Sequence, residues 1–351
     1  MERLYEFFNR KLKSTPTDFL RYKYDRIKWD GRAFGIVGPR GVGKSTMILQ
    51  HIKLNLDTAD TLYVSADHIY FSEHRLVDLA DYFVKMGGKH LFIDEIHKYD
   101  GWAREVKQIY DSYEDLQIVI SGSSILDIYK ADLSRRFPIY EIQGLSFREY
   151  LSLFHGINAP VYSLDEILSH KAVLPDVKHP LPLFKDYLRN GYYPFRHDEE
   201  YEMELLQVIN QTMEVDIPTH LQANVSLGKK LKSLLMVVAK SVPFKPVMQR
   251  LAEATGISRN DIASHLFYME RAGMITQLRD TTGGIRGLGK VEKLYLDNTN
   301  LIYALSPEHA DIGNVRETFF MNQARVMNDV TGSSISDFEI NGKTFEIGGK
   351  K

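Results

Sequence analysis

The chain of 351 residues contains no cysteine. That excludes disulfides and thiolate metal sites, and it fits a reducing, cytoplasmic setting. Long apolar runs are missing too. The longest candidate, Leu234 to Ala239, is short and flanked by lysines, well under the ~18 residues of a membrane-spanning helix, so no membrane association is expected. The N-terminus, MERLYEFFNRKLK, lacks the apolar core of a signal peptide. The twelve histidines are scattered without metal-ligand spacing. There is no internal repeat, no low-complexity tract, and no [NT]-K-x-D pattern of the kind that reads a guanine base. Two or three domains are expected from the length alone.

What is present is concentrated early. Ala33-Phe34-Gly35-Ile36-Val37 is a short apolar run, and residues 38–46 read GPRGVGKST, followed by Met47-Ile48-Leu49. This is a phosphate-binding loop between a buried strand and a helix, the context the pattern requires. Gly38, Pro39, Arg40, Gly41, Val42, Gly43, Lys44, Ser45 and Thr46 are the candidates to surround a phosphate chain, through the backbone N–H groups of all but Pro39 and aided by the helix N-terminus. Lys44 reaches the β- and γ-phosphates, and Ser45 places its hydroxyl on Mg²⁺. ATP and Mg²⁺ are therefore the expected ligands.

Further apolar runs end in chemistry. His90-Leu91-Phe92-Ile93 leads into Asp94-Glu95, which assigns Asp94 to the metal shell and Glu95 to the attacking water. Leu116 to Ile120 ends in Ser121-Gly122-Ser123-Ser124. Ser123 is the first choice for a γ-phosphate sensor and Ser121 the second; the other reading makes these serines caps of a helix starting near Ile125. Thr61 to Ser65 reads as another strand and Gly101 to Tyr113 as an amphipathic helix. Strands alternating with helices imply a parallel sheet covered on both faces. Arg135 and Arg136 follow, as transition-state arginines from the same or a neighbouring subunit, or as a solvated basic turn.

The segments GPRGVGKST, LFIDEIHKYDGWAREVKQIYD, ISGSS, LSRRFPIYEIQGLSFREYL and FKDYLRNGYYPF together resemble prokaryotic AAA-type ATPases that carry a C-terminal domain of unknown function. The family usually has Gly-Arg where this chain has Arg135-Arg136, so the resemblance makes Arg136 the arginine finger. It also implies an AAA-type α/β ATPase domain over 1–155 and a helical lid over 156–224.

Residues 225–296 hold twelve basic side chains against five acidic ones, an excess of +7 that leaves −9 on the rest of a chain of net charge −2. Such a block is the electrostatic footprint of nucleic-acid binders. Val247 to Ala254 and Arg259 to Ala272 read as two helices joined by a turn, with Ser258 as cap. Met274 to Leu278 and Lys293 to Leu296 read as strands around a Gly-rich tip. This predicts a winged helix over 225–305, with Ser258, Arg259, Asn260 and Ser264 at the groove-facing helix start and Arg286 and Lys290 on the wing. DNA is one expected partner; a protein docked by the same module, or a second copy of the chain, is the other.

Beyond it, Ser336 to Ile340, Asn341-Gly342 and Thr344 to Ile347 read as a hairpin. In the resembled family this region looks like a restriction-type nuclease core, which makes Asp337, Glu346 and Lys350 the matching candidates. Two glycines break the acid-x-Lys spacing, so 306–351 is expected to be a partial nuclease-like α/β segment without nuclease activity, in a chain that reads as truncated.

Overall fold

The computed structural model describes residues 1–123, 133, 135–174, 177–195, 200–280 and 289–347. Ser124, Ile125, Arg286 and Lys350, named above, lie outside them. Two compact units follow one another, Met1–Gln143 and Gly144–Lys351.

In the first unit five strands, β1 (Ala33–Val37), β2 (Thr61–Ser65), β3 (His90–Asp94), β4 (Gln117–Gly122) and β5 (Ile139–Glu141), form one sheet in the order β2-β3-β4-β1-β5. Every pairing in it is parallel. The sequence shows why. The residues of β1 and β4 are buried throughout, as continuous apolar runs must be when both sheet faces are covered. The helices α1 (Glu2–Ser14), α2 (Lys44–Asn55), α3 (Leu76–Lys85) and α4 (Trp102–Ser112) belong to the same unit; α1 packs on β2 and α2, and α3 on α4. Because the strands run the same way, their carboxyl ends share one edge, where α/β sheets present ligand-binding groups. Strands β1, β3 and β4 bring the loop at 38–43, Asp94 and Ser123 there.

The second unit contains α5 (Phe147–His155), α6 (Leu164–Leu168), α7 (Pro180–Asn190), α8 (Tyr201–Gln211), α9 (Ile217–His220), α10 (Val225–Ala239), α11 (Met248–Thr255) and α12 (Arg259–Arg271). Strands β6 (Ile275–Arg279) and β7 (Val291–Leu296) form an antiparallel pair. Then come α13 (Thr299–Leu305), α14 (Ile312–Ala324) and a three-stranded antiparallel sheet in the order β10-β9-β8, made of β8 (Val330–Gly332), β9 (Phe338–Ile340) and β10 (Lys343–Phe345). Helix α12 ends where Gly273 takes φ +72, the left-handed residue that stops helices. The β9–β10 turn has Asn341 at φ +51 and Gly342 at φ +76, the two positive values a two-residue hairpin loop needs. One buried cluster joins Leu278 and Tyr295 of the β6–β7 pair to Met321, Val330, Phe338 and Ile340, so the C-terminal strands share a core with that pair.

Candidate phosphate and metal site

The loop after β1 is built for close approach. A Cβ on Gly38 would lie 2.2 Å from the carbonyl oxygen of Ile142, a distance that no side chain tolerates. Gly43 caps α2 in the left-handed region, φ +92, and Gly41 takes φ +83; both angles penalise any side chain. Lys44 is buried and donates from Nζ to the carbonyls of Gly38 and Pro39, both at 2.9 Å. Its charge is thus held at the loop by neutral acceptors, and a phosphate oxygen would be a stronger partner for it.

Arg21 was not singled out in the sequence. It is 6% exposed, and its guanidinium donates to the carbonyl of Val42 at 2.7 Å and to that of Gln143 at 2.7 Å. In a trans peptide the C=O and the next N–H point opposite ways. Holding the Val42 oxygen therefore fixes the direction of the Gly43 N–H, one of the donors expected to face a phosphate.

At the end of β3, Asp94 is buried and accepts hydroxyl protons on both oxygens, from Tyr63 on Oδ2 and from Ser121 on Oδ1. The Glu95 N–H also donates to Oδ1, at 3.0 Å. Burial and then the Asp94 carboxylate push the Tyr63 phenol far above its ordinary range. Glu95 itself sits in the left-handed region, φ +52 and ψ +38, a conformation that costs a non-glycine residue about 1 kcal/mol or more. Its Oε2 lies 3.3 Å from Nε2 of His97. The turn ends β3 directly after Asp94.

The donor set suits the expected ligands. Ser45 and Asp94 offer hard oxygens, one hydroxyl and one carboxylate, the small protein contribution that Mg²⁺ takes when phosphates and water complete its shell. Ser121 is the β4 residue that touches Asp94; Ser123 lies just beyond that strand, half-buried. Arg136 precedes β5, which places it by the amino ends of the strands, at the opposite edge from the 38–43 loop. There its Nε is 3.3 Å from Asp111 Oδ1 and its guanidinium carbon 5.9 Å from the Tyr110 ring centre, both on α4.

In the second unit, Ser258 caps α12, accepting from the Asp261 N–H at 3.3 Å and donating to the Asp261 carboxylate at 2.7 Å. Arg259, Asn260, Ser264 and Lys290 are exposed. Glu270 is tied to β6 through Gln277 and Arg279. Asp337 pairs with Lys293 at 2.9 Å and accepts the Ile347 N–H at 3.0 Å. Lys293 also pairs with Glu317 at 3.1 Å, and Tyr295 donates to Glu317 at 2.8 Å. Glu346 is exposed. Among the described residues no three His, Cys, Asp or Glu side chains are grouped to hold a metal ion, and no helix is long and apolar enough to cross a membrane.

Comparison with known proteins adds to this geometry. Residues 30–151 match a family model described as an AAA domain, and residues 181–312 match one described as a domain of unknown function (DUF8612). Two uncharacterised proteins of Methanocaldococcus jannaschii are similar. MJ1637 is 24% identical over 77% of this chain and 62% of its own length; MJ1544 is 28% identical over 70% and 56%. The chain thus spans about three fifths of the length of these curated relatives. Among solved structures, the C. elegans PCH-2 structure aligns over 76% of this chain and 67% of its own, with 15% identity and TM-score 0.29. The S. cerevisiae Hsp104–ADP complex aligns over 75% and 38%, with 17% identity and TM-score 0.30.

Proposed function

From a chain that carries an AAA domain over residues 30–151, we propose a nucleotide-dependent activity whose chemistry is Mg²⁺-dependent ATP binding and hydrolysis. The observation that carries this reading is the glycine cradle against the Ile142 carbonyl, with Lys44, Ser45, Asp94 and Glu95 brought to the same edge of one parallel sheet. When bound, Mg²⁺ would neutralise charge on the β- and γ-phosphate oxygens. Lys44 exchanges its loop carbonyls for those oxygens, and Ser45 and Asp94 would hold the metal. Glu95 accepts the proton of the attacking water as the new P–O bond forms. The bond to the β–γ bridging oxygen breaks, and ADP leaves with its electron pair. Ser123, or Ser121 through Asp94, senses the γ-phosphate.

Arg136 contacts the transition state from a neighbouring subunit in this reading, because its position before β5 sets it across the sheet from its own loop. The cycle is coupled to the second unit, in which residues 225–305 act as a winged-helix module and the C-terminal segment is nuclease-like without nuclease activity. Calorimetry with adenine nucleotides and Mg²⁺ tests the core of the proposal. Binding heat that vanishes in Lys44→Ala supports it, as does a Glu95→Gln variant that binds without turnover. A silent titration of the wild-type chain removes it.

One observation favours DNA as the partner of the second unit over a purely protein-docking role. The two acids on α12 are committed within the unit, Asp261 to the Ser258 cap and Glu270 to β6, which leaves Arg259, Asn260 and Ser264 to face a backbone of phosphates. ATPase stimulation by duplex DNA that is lost in Arg259→Glu supports this partner. A flat response leaves the protein-binding switch, read out by a partner pull-down that differs between ATP and ADP.

A further inference from the structure

The edge of the sheet opposite the phosphate loop holds a cavity of about 720 Å³, within the range of small-molecule sites. Its lining belongs entirely to the first unit. Trp29 and Arg32 lead into β1, and His90 and Gln117 open β3 and β4, so they meet where the strands begin. Gln117 gives its amide protons to the carbonyls of Trp29, at 2.7 Å, and Gly31, at 2.9 Å, which ties the Trp29 segment to β4. From α2, His51 stacks on Trp29 and is 6% exposed. The Asn55 amide donates to the Tyr24 oxygen at 2.7 Å, and the Tyr24 hydroxyl donates to His51 Nδ1 at 3.2 Å. Burial, followed by the charge of His90, lowers the His51 pKa to about 4 and keeps the ring neutral. Its one proton therefore sits on Nε2. Among the described residues nothing accepts that proton, and Nε2 is not sealed in by protein atoms; the N–H opens on the cavity.

The mouth is acidic. Asp30, Glu114 and Asp115 line it, all three are exposed, and none has an ion pair or hydrogen bond among the described residues. Arg32 does not offset them. Its guanidinium donates to the carbonyls of Tyr110 and Tyr113 and lies 3.9 Å from the Tyr110 ring centre. We propose that this cavity is a ligand site separate from the phosphate loop, for a small organic cation that carries an acceptor oxygen. The cation meets the three carboxylates, and the acceptor takes the His51 Nε2 proton. A concave wall lined by one sign of charge concentrates ions of the other sign, which excludes anions here. A cation without an acceptor would displace water from the imidazole N–H and leave that donor unpaired, at a loss of affinity.

The site is independent of the nucleotide reading, and the test keeps the two apart. Binding of L-argininamide to the full chain is measured by calorimetry. It is located by Trp29 emission in a Trp102→Phe background, since the chain has two tryptophans. We expect saturable heat, a matching change in Trp29 emission, and the same Kd in Lys44→Ala. Agmatine is argininamide without its carboxamide. It should bind ~2–10-fold more weakly for want of one hydrogen bond, and that difference should vanish in His51→Phe. Neutralising the mouth in Asp30→Asn/Glu114→Gln/Asp115→Asn should weaken argininamide ~1.5–5-fold per charge. Those side chains are exposed, so the fold does not depend on them. Absence of heat overturns the proposal, as does heat without a change at Trp29. A wild-type Kd in the triple variant also overturns it, and so does neutral L-citrullinamide binding as tightly as argininamide. Should His51→Phe fold poorly, the two cations are compared in the wild type, where equal Kd values refute the role of His51.

Discussion

Replacing Arg21 by methionine preserves the bulk of the side chain and removes the guanidinium that holds the phosphate loop to the end of the sheet. Both of its loop contacts are 2.7 Å and lie in a buried setting. A hydrogen bond to a charged group contributes ~1.5–3 kcal/mol, so the two together contribute about 3 kcal/mol or more to the first unit. At ~2–4 °C per kcal/mol for a domain of ~150 residues, the melting temperature should fall by roughly 6–12 °C. Affinity should fall as well. With the Val42 carbonyl released, the Gly43 N–H loses its fixed direction, and one hydrogen bond of ~1.4 kcal/mol corresponds to tenfold in Kd. Arg21→Lys keeps the charge but can serve only one carbonyl well, and should lie between. Differential scanning fluorimetry with calorimetric titration of ADP measures both effects. An Arg21→Met chain that melts low yet binds ADP as the wild type does would refute the orienting role, leaving the arginine as a staple alone.

Gly38→Ala must push the Ile142 carbonyl by more than an ångström from its 2.2 Å approach; we expect a cost of ~1–3 kcal/mol and loss of nucleotide binding, read by the same titration. His51 stacks on Trp29 at 4.0 Å, and burial, followed by the charge of His90, pushes its pKa down to about 4. Its neutral form stabilises the fold above pH ~6.5, and that contribution of at most ~3 kcal/mol is lost as pH falls from ~6.5 toward 4. Urea melts between pH 7 and 4 should therefore be steeper in pH for the wild type than for His51→Phe, and parallel curves would contradict this. Arg136→Ala should abolish hydrolysis while sparing ADP binding. Mixing it with Glu95→Gln should restore turnover, since each variant supplies what the other lacks; an inactive mixture would place the arginine's role elsewhere.

Much of the first unit was legible because its strands are short apolar words that end in chemically loaded letters. The expected run Ala33 to Val37 coincides with β1 and Thr61 to Ser65 with β2, and the runs expected at β3 and β4 differ by a residue or two at their ends. The Asn341-Gly342 turn was equally plain, since few pairs accept two positive φ angles. What stayed hidden depends on distance along the chain. Arg21 meets Gln143 across 122 positions, and Tyr63 meets Asp94 across 31; neither pairing leaves a local pattern. The left-handed angle at Glu95 was hidden for another reason, since a glutamate there advertises no turn. Asp337 meets Lys293 of β7 across 44 positions, a pairing that leaves no local pattern either. Strand β8, three residues long, is too brief to show a period.

The opposed locations of the 38–43 loop and Arg136 on the sheet have a consequence for assembly. In the proposed reading, a contact that brings Arg136 of one copy to the loop of another joins two different surfaces, so one copy keeps an unused Arg136 surface and the other an unused loop. Such heterologous contacts either close on themselves as rings or continue as filaments. A symmetric dimer would leave one kind of surface facing itself and neither active. If Arg136 acts across copies as proposed, hydrolysis should rise steeply with protein concentration and then saturate at a defined particle size, the behaviour expected of a closed ring.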